Sequence, residues 1–144
     1  MAQGYEGDVS VRQCWSVLAD DPTAILVDVR TAAEWTYVGI PDLSPLAKTA
    51  VLVEWQSYPS MAVDPAFVER VEAALGEGPG KRDGQIFLLC RSGVRSVAAA
   101  RALTAAGFEH CINILDGFEG APDQNGHRGT IAGWKAEGLP WLQR

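Results

Sequence analysis

A cysteine begins a short segment, residues 90–96, whose composition suits sulfur chemistry. Cys90 ends an apolar run and is followed by a loop that contains Gly93 and then by a helix-favouring stretch. The unpaired backbone N–H groups at a helix N-terminus, together with the helix dipole, stabilise negative charge. We therefore expect these groups to stabilise the nucleophilic thiolate of Cys90 over its thiol. The same amides are placed to hold an anionic group that a sulfur nucleophile receives from its substrate.

Positive charge gathers around this segment although the whole chain is acidic. Between Gly84 and Phe108 there are three arginines and no acidic residue, whereas the formal net charge of the chain is −6. Arg91 and Arg95 lie close to Cys90 at a helix start, where a cation is unfavourable, which indicates a role in the site. The third, Arg101, is interpreted as a surface residue of the helix.

Helix and strand signals alternate along the chain. Short branched or apolar runs predict strands at 24–29, 50–53, 85–89 and 111–115. Periodic or capped segments predict helices at 11–18, from 31 onward, from 64 to 76, at 96–106 and at 131–137. This alternation predicts an α/β fold with a central, mostly parallel sheet flanked by helices on both faces. Because ligands of such sheets bind beyond the carboxyl ends of the strands, residues 28–30 and the segment from Cys90 onward are candidate site positions.

Three helix starts carry capping signals. The residues at 10 and 13, and those at 31 and 34, have the capping-box spacing. Asp64 followed by Pro65 predicts an N-cap with proline at the first helical position. The stretch 76–84 is rich in glycine and charge, and we interpret it as a flexible loop within a domain.

Composition limits the possible classes of protein. With 144 residues, the chain is predicted to form one domain over residues 1–144. Its acidity argues against a general nucleic-acid binder, and 47% apolar residues with 21% charged residues are typical of a soluble globular protein. Its apolar runs are far shorter than the roughly 20 residues that cross a bilayer, so no membrane association is expected. Neither a signal peptide at residues 1–8 nor a disulfide framework is indicated, so we expect a cytoplasmic location.

The segment Cys-Arg-Ser-Gly-Val-Arg-Ser at 90–96 resembles the active-site loop of the rhodanese-type sulfurtransferases. The resemblance runs in the family's order from about residue 9 to the end of the chain. Its other elements are less specific: residues 26–30 (Leu-Val-Asp-Val-Arg) with Glu34 and Trp35, residues 39–41 (Gly-Ile-Pro), and Trp134 with residues 138–140 (Gly-Leu-Pro). The chain is thereby identified as a member of the rhodanese-like family, of the single-domain thiosulfate sulfurtransferase type with a three-layer fold.

This resemblance implies a role for each residue of the segment. Cys90 would take a sulfane sulfur and become a persulfide. The backbone amides of the following residues would hold the outer sulfur: Arg91, Ser92, Gly93, Val94, Arg95 and Ser96. Arg91 and Arg95 would attract a small anionic donor such as thiosulfate, and a thiol, cyanide or a protein sulfur acceptor would remove the sulfur. Asp28 and Arg30 would support the structure as an ion pair, and no metal or organic cofactor is implied.

The length of the active-site loop distinguishes a sulfurtransferase from related enzymes that act on oxyanions. Phosphatases and some arsenate reductases of the same fold have five residues between cysteine and arginine, whereas four separate Cys90 from Arg95. A tighter ring of N–H groups suits a single sulfur better than a phosphoryl group. Leu89 stands where tyrosine phosphatases usually have histidine, and no aspartate plainly serves as their general acid. An oxyanion enzyme, and a persulfide carrier or interaction module with little turnover, remain the alternatives.

The chain departs from the family pattern in three places. No histidine separates Gly39 from Ile40, and Asp42 stands where the family has glycine. The stretch 42–84 is longer than usual, and residues 121–130 form a polar extension. The longer stretch includes Trp55, Tyr58 and Met61, and we consider Trp55 as a residue that lines a pocket or a partner surface. Because loops beside a site set its selectivity, these departures leave the acceptor open.

The remaining cysteines and histidines have simpler interpretations. Cys14 and Cys111 fall in a predicted helix and strand without cationic neighbours, so we interpret them as packing residues and leave a redox role open. His110 and His127 are interpreted as surface residues, and the wide spacing of cysteine and histidine forms no zinc pattern. Three tryptophans are predicted to fill the core: Trp15, Trp35 and Trp134.

Overall fold

The computed structural model describes residues 3–76 and 82–143, over which strands and helices alternate as the sequence predicts. The strands are Gly7–Val9 (β1), Ile25–Asp28 (β2), Ile40–Pro41 (β3), Val51–Leu52 (β4), Gln56–Ser57 (β5), Ala62–Val63 (β6), Gln85–Leu89 (β7), His110–Ile114 (β8) and Trp141–Leu142 (β9). The α-helices are Val11–Asp20 (α1), Ala32–Tyr37 (α2), Phe67–Leu75 (α3), Arg95–Ala105 (α4) and Gly133–Ala136 (α5). A single 3-10 turn covers Ser44–Leu46.

A five-stranded sheet in the order β1-β8-β7-β2-β4 forms the centre of the molecule. Each neighbouring pair in this sheet is parallel. Strand β7 lies in the middle, and its last residue, Leu89, is level with Asp28 at the end of β2. Cys90 therefore follows the central strand at the carboxyl edge of the sheet. Two antiparallel pairs, β3 with β9 and β5 with β6, lie outside this sheet.

Alternation along the strands directs side chains into two apolar layers. One layer joins the sheet to α3 and α4 and includes Val27, Leu88, Cys90, Phe67, Val71, Ala99 and Leu103. The other joins the sheet to α1 and α5 and includes Leu26, Phe87, Leu89, Cys14, Leu18 and Trp134. The predicted α/β class, with helices on both faces of a parallel sheet, is confirmed. The small alanines of α4 let that helix lie close to the sheet.

Both predicted capping boxes are present, whereas the predicted start of α3 is wrong. The side chains of Ser10 and Thr31 each accept the backbone N–H of the residue three positions later. The side chain of that later residue accepts the backbone N–H of Ser10 or Thr31 in turn. Helix α3 begins at Phe67, two residues after the predicted position. Asp64 instead closes the preceding turn, because its carboxylate accepts the Ala66 N–H at 2.9 Å and Nε of Arg70 at 2.6 Å.

The predicted last helix over 131–137 is also wrong in extent, since α5 covers only Gly133–Ala136. Gly133 has a φ of +94°, so a right-handed helix does not continue back through it to Ile131, which is exposed. Of the loop predicted over 76–84, residues 77–81 lie outside the described residues. No helix within 3–76 or 82–143 is long and apolar enough to cross a membrane.

Candidate active site

Cys90 lies between the central strand β7 and helix α4, as predicted. Its side chain is only 1% exposed. It nevertheless borders a pocket of about 400 Å³ that is also lined by Glu34, Met61, Arg91, Ser92, Val94 and Arg95. A substrate would reach the sulfur through this pocket. Residues 90–96 are called the Cys90 loop below.

Backbone amides of the Cys90 loop provide the hydrogen-bond donors. Gly93 donates its N–H to Sγ of Cys90 at 3.1 Å. Gly93 has a φ of +93°, and a Cβ there would lie 3.2 Å from Ile114 O, so glycine suits this position. Among the hydrogen bonds of the described residues, none occupies the other amides of the loop: Arg91, Ser92, Val94, Arg95 and Ser96. These donors stand at the N-terminus of an 11-residue helix, where they favour an anionic ligand.

A buried polar network lies on the other side of the sulfur. The hydroxyl of Ser96 is 3.1 Å from Sγ of Cys90 and donates to Oδ1 of Asn113. The Asn113 amide in turn donates to Asp8 at 2.9 Å and to the Gly93 carbonyl at 3.3 Å. Ser96 and Asn113 are essentially fully buried. Sequence reasoning included Ser96 but missed Asn113, although an asparagine inside an apolar strand was a visible signal.

Arg95 and Glu34 form a bidentate ion pair at the edge of the pocket. The two hydrogen bonds measure 2.8 and 3.0 Å, and both side chains are mostly buried. Burial opposes ionisation of Glu34, but its hydrogen bonds and attraction to Arg95 outweigh burial and lower the pKa of Glu34. Burial likewise opposes the charge on Arg95, but Glu34 prevails and raises the pKa of the guanidinium. Arg95 thus lines the pocket, and its charge is already paired with that of Glu34.

Arg91 has a different environment. Its side chain is exposed, lines the pocket, and forms no ion pair with any residue in the described part of the chain. Of the two arginines expected to attract an anion, Arg91 therefore offers the less neutralised charge.

The connection after β8 fixes the backbone of the Cys90 loop from outside. Phe118 donates its N–H to the Cys90 carbonyl at 2.8 Å, and Glu119 and Gly120 donate to the Arg91 carbonyl at 2.9 and 3.0 Å. Gly117 has a φ of +59°, and a Cβ at this position would lie 2.2 Å from the Cys90 carbonyl oxygen. The turn dipeptide at 116–117 (Asp-Gly) is a sequence signal for a turn, but not for this close approach.

Asp28 and Arg30 form the predicted ion pair in a fully buried position. Nη2 of Arg30 is 2.6 Å from Asp28, and both side chains are 0% exposed. Arg30 also donates to the Gly39 carbonyl at 2.8 Å and lies 4.2 Å from the ring centroid of Phe118. The pair therefore joins the end of β2 to the segment before β3 and to the connection after β8.

The other two cysteines pack in the two apolar layers. Cys14 and Cys111 are both 0% exposed. Burial raises the pKa of Cys111 to about 11, and burial raises the pKa of Cys14 still further from its usual value. Both thiols are therefore protonated at neutral pH. This agrees with their interpretation as packing residues.

Aromatic residues only partly follow the sequence predictions. Trp134 is fully buried, and Trp15 packs edge-on against it with ring centroids 5.8 Å apart. Trp35 is half-buried and lines a second surface pocket, so its prediction as a core residue is only partly right. Trp55 packs edge-on against Phe67 at 5.0 Å. Among the described residues of the stretch 42–84, Met61 lines the Cys90 pocket, and Trp55, which was predicted as a lining residue, does not.

The two histidines and the polar extension are not among the residues that line the Cys90 pocket. His110 contacts Glu6 at 2.6 Å in an exposed position. Within the extension 121–130, the Asp123 carboxylate accepts hydrogen bonds from the N–H groups of Asn125 and His127 and from the Thr130 hydroxyl. This loop thus satisfies Asp123 with its own residues.

Comparison with known proteins places this chain in a family. The family model described as STR4 middle domain matches residues 6–144. The crystal structure of Rv0390 from M. tuberculosis is 45% identical, has a TM-score of 0.87, and is matched over 97% of this chain and 99% of that chain. Uncharacterized protein RP600 of Rickettsia prowazekii is 37% identical over 129 residues, which are 90% of this chain and 91% of the relative.

More distant relatives have functional names. A sulfurtransferase of Allochromatium vinosum is 27% identical over 123 residues, covering 85% of this chain and 82% of the relative. Rhodanese-like domain-containing protein 4 of Arabidopsis thaliana is 24% identical over 137 residues, which are 95% of this chain and 26% of the relative. The parallel sheet with helices on both faces has the rhodanese-like fold. More particularly, the chain belongs to the STR4 middle domain family.

Proposed function

We propose that this protein is a sulfurtransferase that moves a sulfane sulfur from an anionic donor, such as thiosulfate, to a thiophilic acceptor through a persulfide on Cys90. One observation carries the proposal. Sγ of Cys90 borders the pocket and accepts the N–H of Gly93, while neighbouring amides of the same loop have no acceptor among the described residues. Such a set of donors stabilises a negatively charged sulfur.

The first half-reaction loads the sulfur. The Cys90 thiolate attacks the outer sulfur of thiosulfate and forms a new S–S bond. The S–S bond of the donor breaks, and its electron pair leaves with sulfite. The outer sulfur of the resulting persulfide carries the negative charge, which the free amides of the Cys90 loop stabilise. The exposed guanidinium of Arg91 attracts the dianionic donor to the pocket.

The second half-reaction unloads the sulfur. A thiophile attacks the outer sulfur, and the bond to Sγ of Cys90 breaks with its electron pair returning to Sγ. Cyanide would leave as thiocyanate, and a thiol would leave as a persulfide. Two half-reactions joined by a covalent intermediate are the usual pattern of nucleophilic catalysis.

The pairing of Arg95 argues against an oxyanion enzyme. A guanidinium binds a phosphoryl group or a similar oxyanion through two parallel hydrogen bonds. In this structure both of those donors of Arg95 bind the carboxylate of Glu34, at 2.8 and 3.0 Å. An oxyanion would have to share this guanidinium with Glu34, whose charge already neutralises it.

Mass spectrometry after treatment with thiosulfate tests the proposal. We expect the intact protein to gain the mass of one sulfur atom, and peptide mapping to place it on Cys90. The Cys90→Ser variant should gain no sulfur and should transfer none to cyanide, while its circular dichroism spectrum matches that of the wild type. Cys14 and Cys111, which are buried and protonated, serve as internal controls and should stay unmodified. Equal sulfur loading of the Cys90→Ser variant would refute the proposal.

A further inference from the structure

Two apolar side chains border the Cys90 pocket, in addition to its charged groups and loop amides. Met61 and Val94 both line it, and their side chains are 37% and 74% exposed. Val94 belongs to the Cys90 loop itself. Met61 belongs to the stretch 42–84 and precedes Cys90 by 29 positions in the sequence. The pocket thus offers apolar contact to a molecule that approaches the sulfur.

Met61 is presented by an ordered hairpin. Strands β5 and β6 pair antiparallel, with Ser57 opposite Ala62. Met61 donates its N–H to the Ser57 carbonyl at 2.7 Å and has a φ of +57°, so the turn sets the direction of its side chain. Because the backbone at this position is already held by the hairpin, little backbone entropy is lost when the side chain contacts a ligand.

The base of the hairpin is anchored to the sheet and to α3. Trp55 donates its N–H to the Val29 carbonyl at 3.1 Å, and its own carbonyl accepts the Asp64 N–H at 2.9 Å. The indole ring of Trp55 packs against Phe67. The hairpin therefore holds Met61 at the pocket from a base that belongs to the core.

Glu54 connects this hairpin to the active site. Its carboxylate accepts the Ser57 hydroxyl at 3.3 Å and the Ala32 N–H, at the first residue of α2, at 2.8 Å. The same helix carries Glu34, the partner of Arg95 in the Cys90 loop. The hairpin and the loop are thus linked through α2, and the position of Met61 relative to the sulfur is set by protein contacts.

Apolar contact favours one class of acceptor. Thiosulfate, sulfite and cyanide are small and strongly hydrated, so they gain nothing from a thioether or an isopropyl group. An organic thiol with an alkyl body gains about 25 cal/mol for each Å² of apolar surface removed from water. The charged groups of the pocket therefore suit the donor, and its apolar groups suit such an acceptor.

We propose that Met61 is a specificity-determining residue of the second half-reaction and favours organic thiols with an apolar body over small polar or anionic acceptors. This inference rests on the sulfurtransferase function proposed above. The acceptor thiolate forms a bond to the outer sulfur of the Cys90 persulfide, and the bond from that sulfur to Sγ breaks with its electron pair on Sγ. The products are the persulfide anion of the acceptor and the Cys90 thiolate, so no further oxidant or reductant is required.

The test compares the discharge of a preloaded protein by three acceptors. The protein is loaded with thiosulfate, freed of donor, and mixed separately with cyanide, 2-mercaptoethanol and 1-butanethiol. The loss of the extra sulfur is followed by mass spectrometry. The ratio of the butanethiol to the mercaptoethanol rate constant is compared between proteins, so that the intrinsic reactivity of the two thiols cancels. The variants are Met61→Gln, which is polar and of similar length, and Met61→Leu, which stays apolar.

We expect Met61→Gln to lower this ratio about three- to tenfold and to change the cyanide rate less than about twofold. The separate variant Met61→Leu should have a ratio within about twofold of that of the wild type. Tyr58→Ala is the matched control, because Tyr58 is an exposed residue of the same hairpin turn outside the pocket lining. Its ratio should equal that of the wild type.

Two kinds of failure are distinguishable. If the persulfide forms on Cys90 but Met61→Gln leaves the ratio unchanged, or slows all three acceptors equally, the specificity role of Met61 is overturned and the proposed function stands. If the wild-type protein forms no persulfide on Cys90, the proposed function fails, and the role of Met61 fails with it.

Discussion

At the scale of single residues, the two arginines of the pocket have different environments. Arg91 is exposed, whereas Arg95 is held by Glu34 and is mostly buried. A bidentate pair fixes the orientation of a guanidinium, and Arg95 is the first residue of α4. We infer that Glu34 and Arg95 hold the start of this helix in place, so that its amides remain directed at the site.

The lowered pKa of Glu34 gives this pair a defined dependence on pH. The pKa in the folded protein lies below the ordinary value of 4.5. Its contribution to stability is therefore fully present above pH 4.5 and is lost as the pH falls through the lowered value. We expect Glu34→Gln to reduce the free energy of unfolding by about 1–2 kcal/mol at pH 7. Urea denaturation of both proteins at pH 7 and pH 3.5 measures this difference.

The comparison of the two pH values is the control for this prediction. Below pH 4.5 the Glu34 carboxyl of the unfolded wild type binds a proton more readily than that of the folded protein, so the difference between wild type and Glu34→Gln should be smaller at pH 3.5. Other titrating groups affect both proteins equally and cancel. A difference that is the same at both pH values would show that the ion pair does not cause it.

At the scale of elements, the Cys90 loop depends on a neighbour that is distant in sequence. The connection from β8 to α5 donates three N–H groups to the carbonyls of Cys90 and Arg91. These bonds hold the two carbonyl oxygens toward the connection, so that the N–H groups of the Cys90 loop can bind a ligand in the pocket. Gly117 makes this approach possible, because it has no Cβ and adopts a positive φ.

We expect Gly117→Ala to disturb this contact strongly. The added Cβ would lie 2.2 Å from the Cys90 carbonyl oxygen, so one of the two segments must move. The loss in unfolding free energy should be about 3 kcal/mol or more, and the rate of sulfur loading should fall at least tenfold. Denaturant unfolding and the thiosulfate loading rate measure the two effects.

Gly126→Ala is the matched control for the effect of backbone conformation alone. Gly126 also has a positive φ, +78°, but a Cβ there meets no atom within 4 Å. It should cost only about 1 kcal/mol and leave the loading rate unchanged. Equal losses in the two variants would contradict the role of Gly117 as a contact point for the Cys90 loop.

The elements whose signals are local were predictable from sequence, and the contacts between distant elements were not. The capping box at Ser10 involves only nearby residues, so its pattern was sufficient. Asp64 offered the same kind of signal, but its carboxylate accepts hydrogen bonds from Ala66 in the preceding turn and from Arg70 within α3. The places of Asn113 and Met61 depend on which strands and loops meet, which local patterns do not encode.

At the scale of the whole molecule, a buried ion pair joins three segments. Asp28 and Arg30 are fully enclosed, and Arg30 also contacts Gly39 and Phe118. Nη1 of Arg30 has no hydrogen-bond partner among the described residues. Asp28 is therefore the group that balances the buried charge of Arg30.

We expect Asp28→Asn to lower the free energy of unfolding by about 3–5 kcal/mol, because it leaves the guanidinium buried without its counter-charge. Chemical denaturation at pH 7 measures the loss. Asp64→Asn, which removes the charge from the more exposed pair with Arg70, is the comparison and should cost no more than about 1 kcal/mol. Losses of similar size in both variants would show that burial does not determine the effect.

The enclosure of Cys90 has a consequence for encounters between molecules. Its side chain is 1% exposed, and a persulfide would bring the terminal atom only about 2 Å farther out. With so little of this side chain at the surface, we expect the sulfurs of two folded copies to stay beyond bonding distance of each other. Exposure to air should therefore not crosslink intact copies through this residue. If a protein accepts the sulfur in the proposed reaction, we expect its cysteine to lie on a narrow, protruding segment that can enter the pocket.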